Sequence, residues 1–255
     1  MNRTKNAEKQ RTAILGKIPN WKARMLQFSL TGVLLLAAST SLFADNASGT
    51  NPPLSREFYE WCDLWMPHFT ENKLPRVLLI GDSITRGYSG EVDKRLEGKA
   101  YVSRLADSHF LNDPMLLTEI AMVLDNQKFD VIHFNNGMHG WQYSEDDYRK
   151  YFPAYLEVIR KHAPNAKLIW ATTTPLKVDN KVPPGSMQVS NARVAARNAI
   201  ALTFIAPLGI PVDDLYALVA NHPEYHDSDV THFNDKGVNV QAAQVAAEIQ
   251  KLLPR

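Results

Sequence analysis

Two short motifs at opposite ends of the chain hold the residue types needed for nucleophilic catalysis. Ser83 lies in the segment Gly-Asp-Ser-Ile-Thr, directly after the apolar run 77–80. Asp229 and His232 lie in Asp-Val-Thr-His, just before a C-terminal helical pattern. A serine hydroxyl becomes a nucleophile when a histidine accepts its proton and a carboxylate orients that histidine. A serine after a strand is often only a helix N-cap, so it is the conjunction of both motifs that predicts an active site.

These motifs resemble those of the SGNH hydrolases, the superfamily of GDSL-type esterases and lipases. Gly-Asp-Ser-Ile-Thr matches the nucleophile block of that superfamily, Asp-x-x-His matches its last block, and the resemblance covers about residues 74–254. It implies a flavodoxin-like three-layer α/β/α sandwich with a parallel sheet. It also implies that Ser83 is the nucleophile, that His232 is the general base and then acid, and that Asp229 orients His232.

The resemblance also implies an oxyanion hole, in which this chain departs from the family pattern. The backbone amide of Ser83 is one expected donor, because it would lie at a helix N-terminus. The family places a Gly-x-Asn-Asp block after the third strand, and here Gly137 matches the Gly while His139 stands where the Asn is expected. An imidazole N–H can donate as an amide does. Asn135 is the alternative donor, and a role for His139 in only bracing the loop also stays open.

A further oxyanion donor in this family is the amide of a glycine after the second strand. The corresponding segment 104–113 contains no glycine, and the amide of Ser108 is the candidate in its place. Trp141 and Thr173 are candidate substrate-binding residues at the rim of the site. Trp141 follows His139 and can stack on a sugar ring or pack in the fold, and Thr173 lies in a Thr-Thr-Thr-Pro run at a strand end.

Two other classes of site are alternatives to a serine hydrolase. His226, Asp227, Asp229 and His232 are residue types that bind metals, but no other element supplies an equally clear ligand. The sequence therefore favours a site with no metal and no cofactor. A nucleotide-binding domain of flavodoxin type is disfavoured because the chain lacks a glycine-rich phosphate loop.

The elements that must position these residues follow from hydrophobic patterning. Strands are predicted at 77–80, 101–105, 131–135, 168–172 and 210–212. Helices are predicted at 55–69, 91–96, 114–124, 190–206 and 235–253, and a long helix opens at Ser144 with a capping box and is kinked or split at Pro153. This alternation predicts a parallel sheet with helices on both faces, whose ligands bind beyond the carboxyl ends of the strands.

The N-terminal 44 residues have the pattern of a targeting segment. They hold seven basic residues and one acidic residue, and residues 25–44 carry no charge. A basic region followed by an apolar region predicts a signal peptide cleaved between residues 44 and 45. Leu42 fits the small-residue cleavage rule poorly, so a retained signal anchor is the alternative. Residues 45–73 would then be a linker and an N-terminal helix, and residues 74–255 the hydrolase domain.

Composition limits the partners and the compartment. The chain is 45% hydrophobic and 22% charged, as globular proteins are. Residues 45–255 carry 21 basic and 26 acidic residues, and this net charge of −5 disfavours nucleic acid or anionic lipid as a partner. Cys62, the single cysteine, cannot form an intramolecular disulfide and is predicted to be a buried small apolar residue.

The sequence thus favours an exported serine esterase, periplasmic or extracellular, that contacts the membrane only if the N-terminal segment is retained. An O-acetyl group on a glycan is the first candidate substrate, and an acyl lipid or thioester is the second. A catalytically inactive domain that binds glycan or protein is the alternative from another class. The altered oxyanion blocks favour that alternative, and the intact Ser83, Asp229 and His232 disfavour it.

Overall fold

The computed structural model describes residues 53–178 and 187–254. The predicted targeting segment and the first part of the predicted linker lie outside the described residues. Within the two described ranges, no helix is both long enough and apolar enough to cross a membrane.

One six-stranded sheet forms the centre of the described domain. Its strands are β1 (Cys62–Trp65), β2 (Arg76–Gly81), β3 (Tyr101–Asp107), β4 (Val131–Phe134), β5 (Lys167–Ala171) and β6 (Val212–Asp213). They are arranged in the order β1-β3-β2-β4-β5-β6, with β1 antiparallel to β3 and the other pairs parallel. Without the antiparallel edge strand, this order is that of flavodoxin-like folds.

Within the described residues, six α-helices cover the two faces of this sheet. They are α1 (Ser83–Arg95), α2 (Pro114–Asn126), α3 (Glu145–His162), α4 (Asn191–Ile205), α5 (Leu215–Val219) and α6 (Asp235–Leu252). Alternate residues of β2 face opposite sides, so that Leu78 and Ile80 belong to the core under α2, α3 and α4, while Val77 and Leu79 belong to the core under α1, α5 and α6. The predicted three-layer sandwich with a parallel sheet is confirmed.

The long helix α3 begins as the sequence predicts and does not split at its proline. Ser144 and Asp147 form the capping box, in which the Asp147 amide donates to Ser144 Oγ at 3.1 Å and the Ser144 amide donates to Asp147 Oδ2 at 3.0 Å. Pro153 lies on the exposed side of an unbroken helix. The carbonyl that it leaves without a partner can be hydrated there, while the opposite face is buried.

The predicted helix over residues 55–69 is wrong. Residues 53–61 form no helix, and Cys62–Trp65 pair as an edge strand with β3, so that Cys62 lies opposite Asp107. Aromatic residues recur here at helical spacing, but Phe58, Trp65 and Phe69 are exposed. The open edge of β3 offers a full row of backbone hydrogen bonds, which outweighs a weak helical pattern. Cys62 is exposed on this edge strand rather than buried as predicted.

Candidate active site

The topology places the loops after β2 and β4 side by side. The connection after β2 leads to β3 on one side, and the connection after β4 leads to β5 on the other. Such a reversal leaves a crevice beyond the carboxyl ends of the two strands, where ligands bind in open α/β sheets. Ser83 follows β2 and the segment 135–140 follows β4, so the nucleophile motif and the predicted oxyanion segment both border this crevice.

The turn between β2 and α1 presents Ser83 at the first helical position. Asp82 caps the helix and holds the loop, since its buried carboxylate accepts the Ile84 amide at 2.9 Å. A side chain at Gly81 would collide with that of Thr85, so the abrupt turn requires glycine. The amides of a first helical turn have no partner within the helix, and the Ser83 N–H is therefore a donor available to a ligand.

The structure brings Ser83, His232 and Asp229 together. Nε2 of His232 lies 2.8 Å from Ser83 Oγ, and Nδ1 of His232 lies 2.8 Å from Asp229 Oδ2. The other oxygen of Asp229 accepts the amides of Thr231 and His232, each at 2.7 Å. The hydrogen bond from the His232 amide and the others at this carboxylate lower the pKa of Asp229 to about 2.

An ionised Asp229 determines the tautomer of His232. A carboxylate can only accept hydrogen bonds, so Nδ1 of His232 must carry a hydrogen. In the neutral ring Nε2 is then the acceptor, and it faces the hydroxyl of Ser83. This is the arrangement in which a histidine can remove the proton of a serine.

The loop that carries His232 is held by its own backbone. His226 and Phe233 form an isolated antiparallel bridge, and the Asp227 amide donates to the His232 carbonyl at 2.9 Å. The His226 ring is buried and packs on Phe233, with ring centroids 4.3 Å apart. These contacts hold the loop that presents Asp229 and His232 to Ser83.

His139 is tied to a residue that the sequence did not indicate. Its Nδ1 lies 3.1 Å from both carboxylate oxygens of Glu57, and the amide of Gly140 donates to the same carboxylate at 3.0 Å. Burial alone would lower the pKa of His139, but the hydrogen bond to Glu57 and the nearby charge of Asp82 outweigh it and raise this pKa. In the protonated ring Nε2 carries a hydrogen and can donate to a ligand.

A buried arginine holds the loop that carries His139. The guanidinium of Arg197 donates to the carbonyls of His139 at 2.7 Å, Gly140 at 2.9 Å, Gly137 at 3.2 Å and Tyr143 at 3.2 Å. Burial lowers the pKa of Arg197 to about 10. The only sequence signal for this residue is that it repeats Arg193 one helical turn later, on the buried side of an amphipathic helix.

The structure places the remaining predicted residues in packing positions. Arg197 lies over the ring of Trp141 at 4.1 Å, so this face of the indole is occupied.

Both amide hydrogens of Asn135 are used, by the Ala171 carbonyl at 2.7 Å and Thr173 Oγ1 at 3.0 Å. Thr173 is buried, and its amide donates to Asn198 at 2.8 Å. The Ser108 amide donates to the Trp61 carbonyl at 3.1 Å. Neither Asn135 nor Ser108 therefore presents a free donor.

The chain belongs to the GDSL-like lipase and acylhydrolase family, whose model matches residues 79–240. This places it among the SGNH hydrolases and supports hydrolysis of ester bonds as its general reaction. A comparison with curated proteins gives no significant match.

Solved structures share the fold at low sequence identity. A GDSL-like lipase from Bacteroides thetaiotaomicron aligns at a TM-score of 0.55 and 16% identity, over 69% of this chain and 88% of that one. A carbohydrate esterase of family 3 from Talaromyces cellulolyticus aligns at 0.55 and 18%, over 70% and 97%. An aryl esterase from M. smegmatis aligns at 0.52 and 15%, over 70% and 100%.

Proposed function

We propose that the protein is an exported serine esterase that removes an O-acetyl group from a glycan. The observation that carries the serine mechanism is the chain of contacts from Ser83 Oγ through His232 to Asp229, with 2.8 Å at each step. These distances are within the range that proton transfer between a nucleophile and its base requires.

The reaction has two halves. Ser83 Oγ attacks the ester carbonyl carbon while its proton passes to Nε2 of His232. The intermediate then breaks its bond to the alcohol oxygen, which takes the proton back from His232 and leaves the acyl group on Ser83. A water molecule, deprotonated by His232, attacks this acyl-enzyme and releases the carboxylic acid, and Ser83 recovers its proton.

Two donors stabilise the oxyanion of each intermediate. One is the backbone N–H of Ser83 at the start of α1, where the helix dipole adds to it. The other is the Nε2–H of His139, which the raised pKa of this ring makes available. Loss of one such donor typically removes about 3–4 kcal/mol of transition-state stabilisation.

The substrate proposal rests on the openness of the site and on the aromatic residues beside it. The side chains of His232 and Asp229 are about half exposed, so the alcohol part of the ester can be a large polymer. Phe58 and Tyr59 follow Glu57, are 90% and 76% exposed, and contact each other edge to face at 4.6 Å. Exposed aromatic faces next to a site can stack on sugar rings. One structure with this fold is a carbohydrate esterase.

An acyl-lipid or thioester hydrolase is the second candidate, because exposed aromatic residues also suit an aliphatic chain. The catalytic residues would be the same, and only the length of the acyl group separates the two functions. An inactive binding domain is disfavoured by the three intact catalytic side chains and their contacts.

A panel of esters tests the proposal. The purified protein is assayed on acetylated xylan and on p-nitrophenyl esters and coenzyme A thioesters from acetyl to palmitoyl. We expect kcat/KM to be highest for acetyl esters. We also expect that the double variant Phe58→Ala, Tyr59→Ala has a higher KM for acetylated xylan and an unchanged KM for p-nitrophenyl acetate. A preference for palmitoyl substrates would instead support the lipid hydrolase, and no turnover of any ester would support the inactive domain.

Export is proposed on the pattern of residues 1–44 alone. Mass spectrometry of the protein from its native host should find an N-terminus near Asp45. An intact Met1 in a membrane fraction would show that the segment is retained as an anchor.

A further inference from the structure

Three side chains of metal-binding type converge near the end of β3. Asp107 is the last residue of β3, His109 lies two residues later, and Glu119 projects from α2. One ligand atom from each lies within 4.8 Å of the others. Asp107 and His109 are almost fully buried, and Glu119 is partly buried. No other group of three such side chains is found in the described part of the chain.

Each of these side chains leaves a buried atom without a hydrogen-bond partner. The atoms are Oδ2 of Asp107, Nδ1 of His109 and Oε2 of Glu119. Buried polar atoms are nearly always hydrogen-bonded, because an unpaired one loses its interaction with water and gains nothing in return. Three unpaired ligand atoms at one place therefore indicate a common partner.

The imidazole of His109 makes no direct hydrogen bond with either carboxylate. Its Nδ1 lies 3.9 Å from Glu119 Oε2 and 3.6 Å from Oδ1 of Asp107, the oxygen that accepts the His109 amide, and both distances are too long for hydrogen bonds. Two ligands about 2.1 Å from a tetrahedral metal are separated by roughly 3.4 Å. The two separations from Nδ1 of His109 are close to this value.

We propose that Asp107, His109 and Glu119 bind one divalent transition-metal ion, with zinc as the best chemical match. An imidazole with two carboxylates is a ligand set that zinc accepts, and the two negative charges neutralise a doubly charged ion in a buried place. Cys62 pairs with Asp107 in the register of β1 and β3, so its thiol is a candidate for a fourth donor.

The rival to a metal ion is a shared proton. Burial and the nearby Asp107 raise the pKa of Glu119 to about 7, so without a cation this carboxyl would hold a proton close to neutral pH. Burial and the same carboxylates raise the pKa of the Cys62 thiol to about 12. Burial is the first cause of both shifts, and the neighbouring carboxylates add to it.

The site would act on structure rather than on the reaction. It would join the end of β3 to α2 and, through Cys62, to the edge strand β1. The segment before β1 carries Glu57, which holds His139. A metal at Asp107, His109 and Glu119 would therefore stabilise the position of the segment that carries Glu57.

Metal titration of the purified, tag-free full chain tests the proposal. After dialysis against EDTA, zinc and cobalt are titrated by calorimetry, with calcium and magnesium as comparisons. We expect one zinc ion per chain and a rise in Tm of about 5–10 °C at saturating zinc. We also expect a cobalt spectrum of low coordination number, with a thiolate charge-transfer band that Cys62→Ser removes.

Variants separate this site from accidental binding. His109→Gln and Glu119→Gln should each weaken zinc binding at least tenfold, whereas His162→Gln, which alters a partly exposed histidine paired with Asp125, should not. If a variant fails to fold, the effect of zinc and EDTA on the Tm of the unaltered protein still shows whether the protein binds the metal. No saturable binding of one equivalent, or no change in that Tm, would overturn the proposal and support the shared proton. Neither result bears on Ser83 as nucleophile.

Discussion

The carboxylate of Glu57 lies 3.1 Å from Nδ1 of His139 through both of its oxygens. Glu57 belongs to the segment before β1, outside the residues 79–240 that the family model matches. In this chain a residue outside the matched domain therefore supports the loop after β4. The contact fixes the orientation of the imidazole and favours its charged form, which can donate through Nε2.

Replacing Glu57 should change the pH dependence of activity. The raised pKa of His139 keeps the donor form present at low pH, and this form is lost as the pH rises through that pKa. Glu57→Gln lowers the pKa, so the alkaline fall in kcat should begin at lower pH, while KM stays nearly constant. The charge of Asp82 also faces His139, so part of the shift should remain.

A double-mutant cycle controls this experiment. In a His139→Asn background Glu57→Gln should have little further effect on kcat, because both residues act through the same donor. If Glu57→Gln lowers kcat equally in the unaltered protein and in the His139→Asn variant, Glu57 does not act through His139.

Asp229→Asn should abolish most activity without unfolding the protein. The amide oxygen can still accept the Thr231 and His232 amides, but it no longer enforces the tautomer that leaves Nε2 free. We expect kcat to fall about 10³–10⁴-fold with KM nearly unchanged. Asp227→Asn, an exposed carboxylate in the same loop, is the matched control and should be almost silent. Steady-state kinetics and circular dichroism on both variants decide the matter.

Arg197→Lys should destabilise the fold as well as the site. Lysine cannot reproduce the planar fork that satisfies four carbonyls, so buried oxygens lose their donors. We expect the free energy of unfolding to fall by about 2–4 kcal/mol in urea denaturation. Arg160→Lys, on the exposed face of α3, is the control and should leave the free energy of unfolding unchanged. Equal stability of the two variants would contradict the role given to Arg197.

His139→Ala and Asn135→Ala should separate activity from stability. His139→Ala is expected to lower kcat about 10²–10³-fold, as loss of an oxyanion donor does. Asn135→Ala removes the bonds to Ala171 and Thr173, so it should lower the free energy of unfolding by about 1–3 kcal/mol with near-normal kcat in the folded protein. The reverse result, measured by kinetics and denaturation, would assign the donor role to Asn135.

The sequence predicts those parts of the fold whose signal is local. The parallel strands β2 to β5 are short, mostly apolar segments, and their predicted bounds agree with the structure to within two residues. The predicted helix over 91–96 covers only the last part of α1, because the first turns of α1 contain Thr85, Gly87 and Ser89, which weaken a helical pattern. Helix α5 spans only five residues, too few to show a period.

Contacts between distant segments account for what the sequence does not predict. Glu57 meets His139 across 82 positions, and the segment that carries it has no regular pattern. The spacing of the aromatic residues over 58–69 predicts a helix. It does not show that the backbone of residues 62–65 can instead form hydrogen bonds with the open edge of β3. Sequence alone predicts that a basic residue such as Arg197 lies on the exposed face of its helix. Its burial follows from the loop carbonyls that it pairs with, and these are distant in the sequence.

Labelling with a fluorophosphonate tests the central claim most directly, since this probe reacts with serines that a base has activated. Intact-mass and peptide mapping should find one adduct per chain, on Ser83, with ester hydrolysis lost in proportion to labelling. Ser83→Ala should take up no probe and lower hydrolysis on the order of a thousandfold or more, while Ser228→Ala, at an exposed serine near His232, should behave as the unaltered protein. An adduct on another residue, or near-normal turnover by Ser83→Ala, would contradict the account.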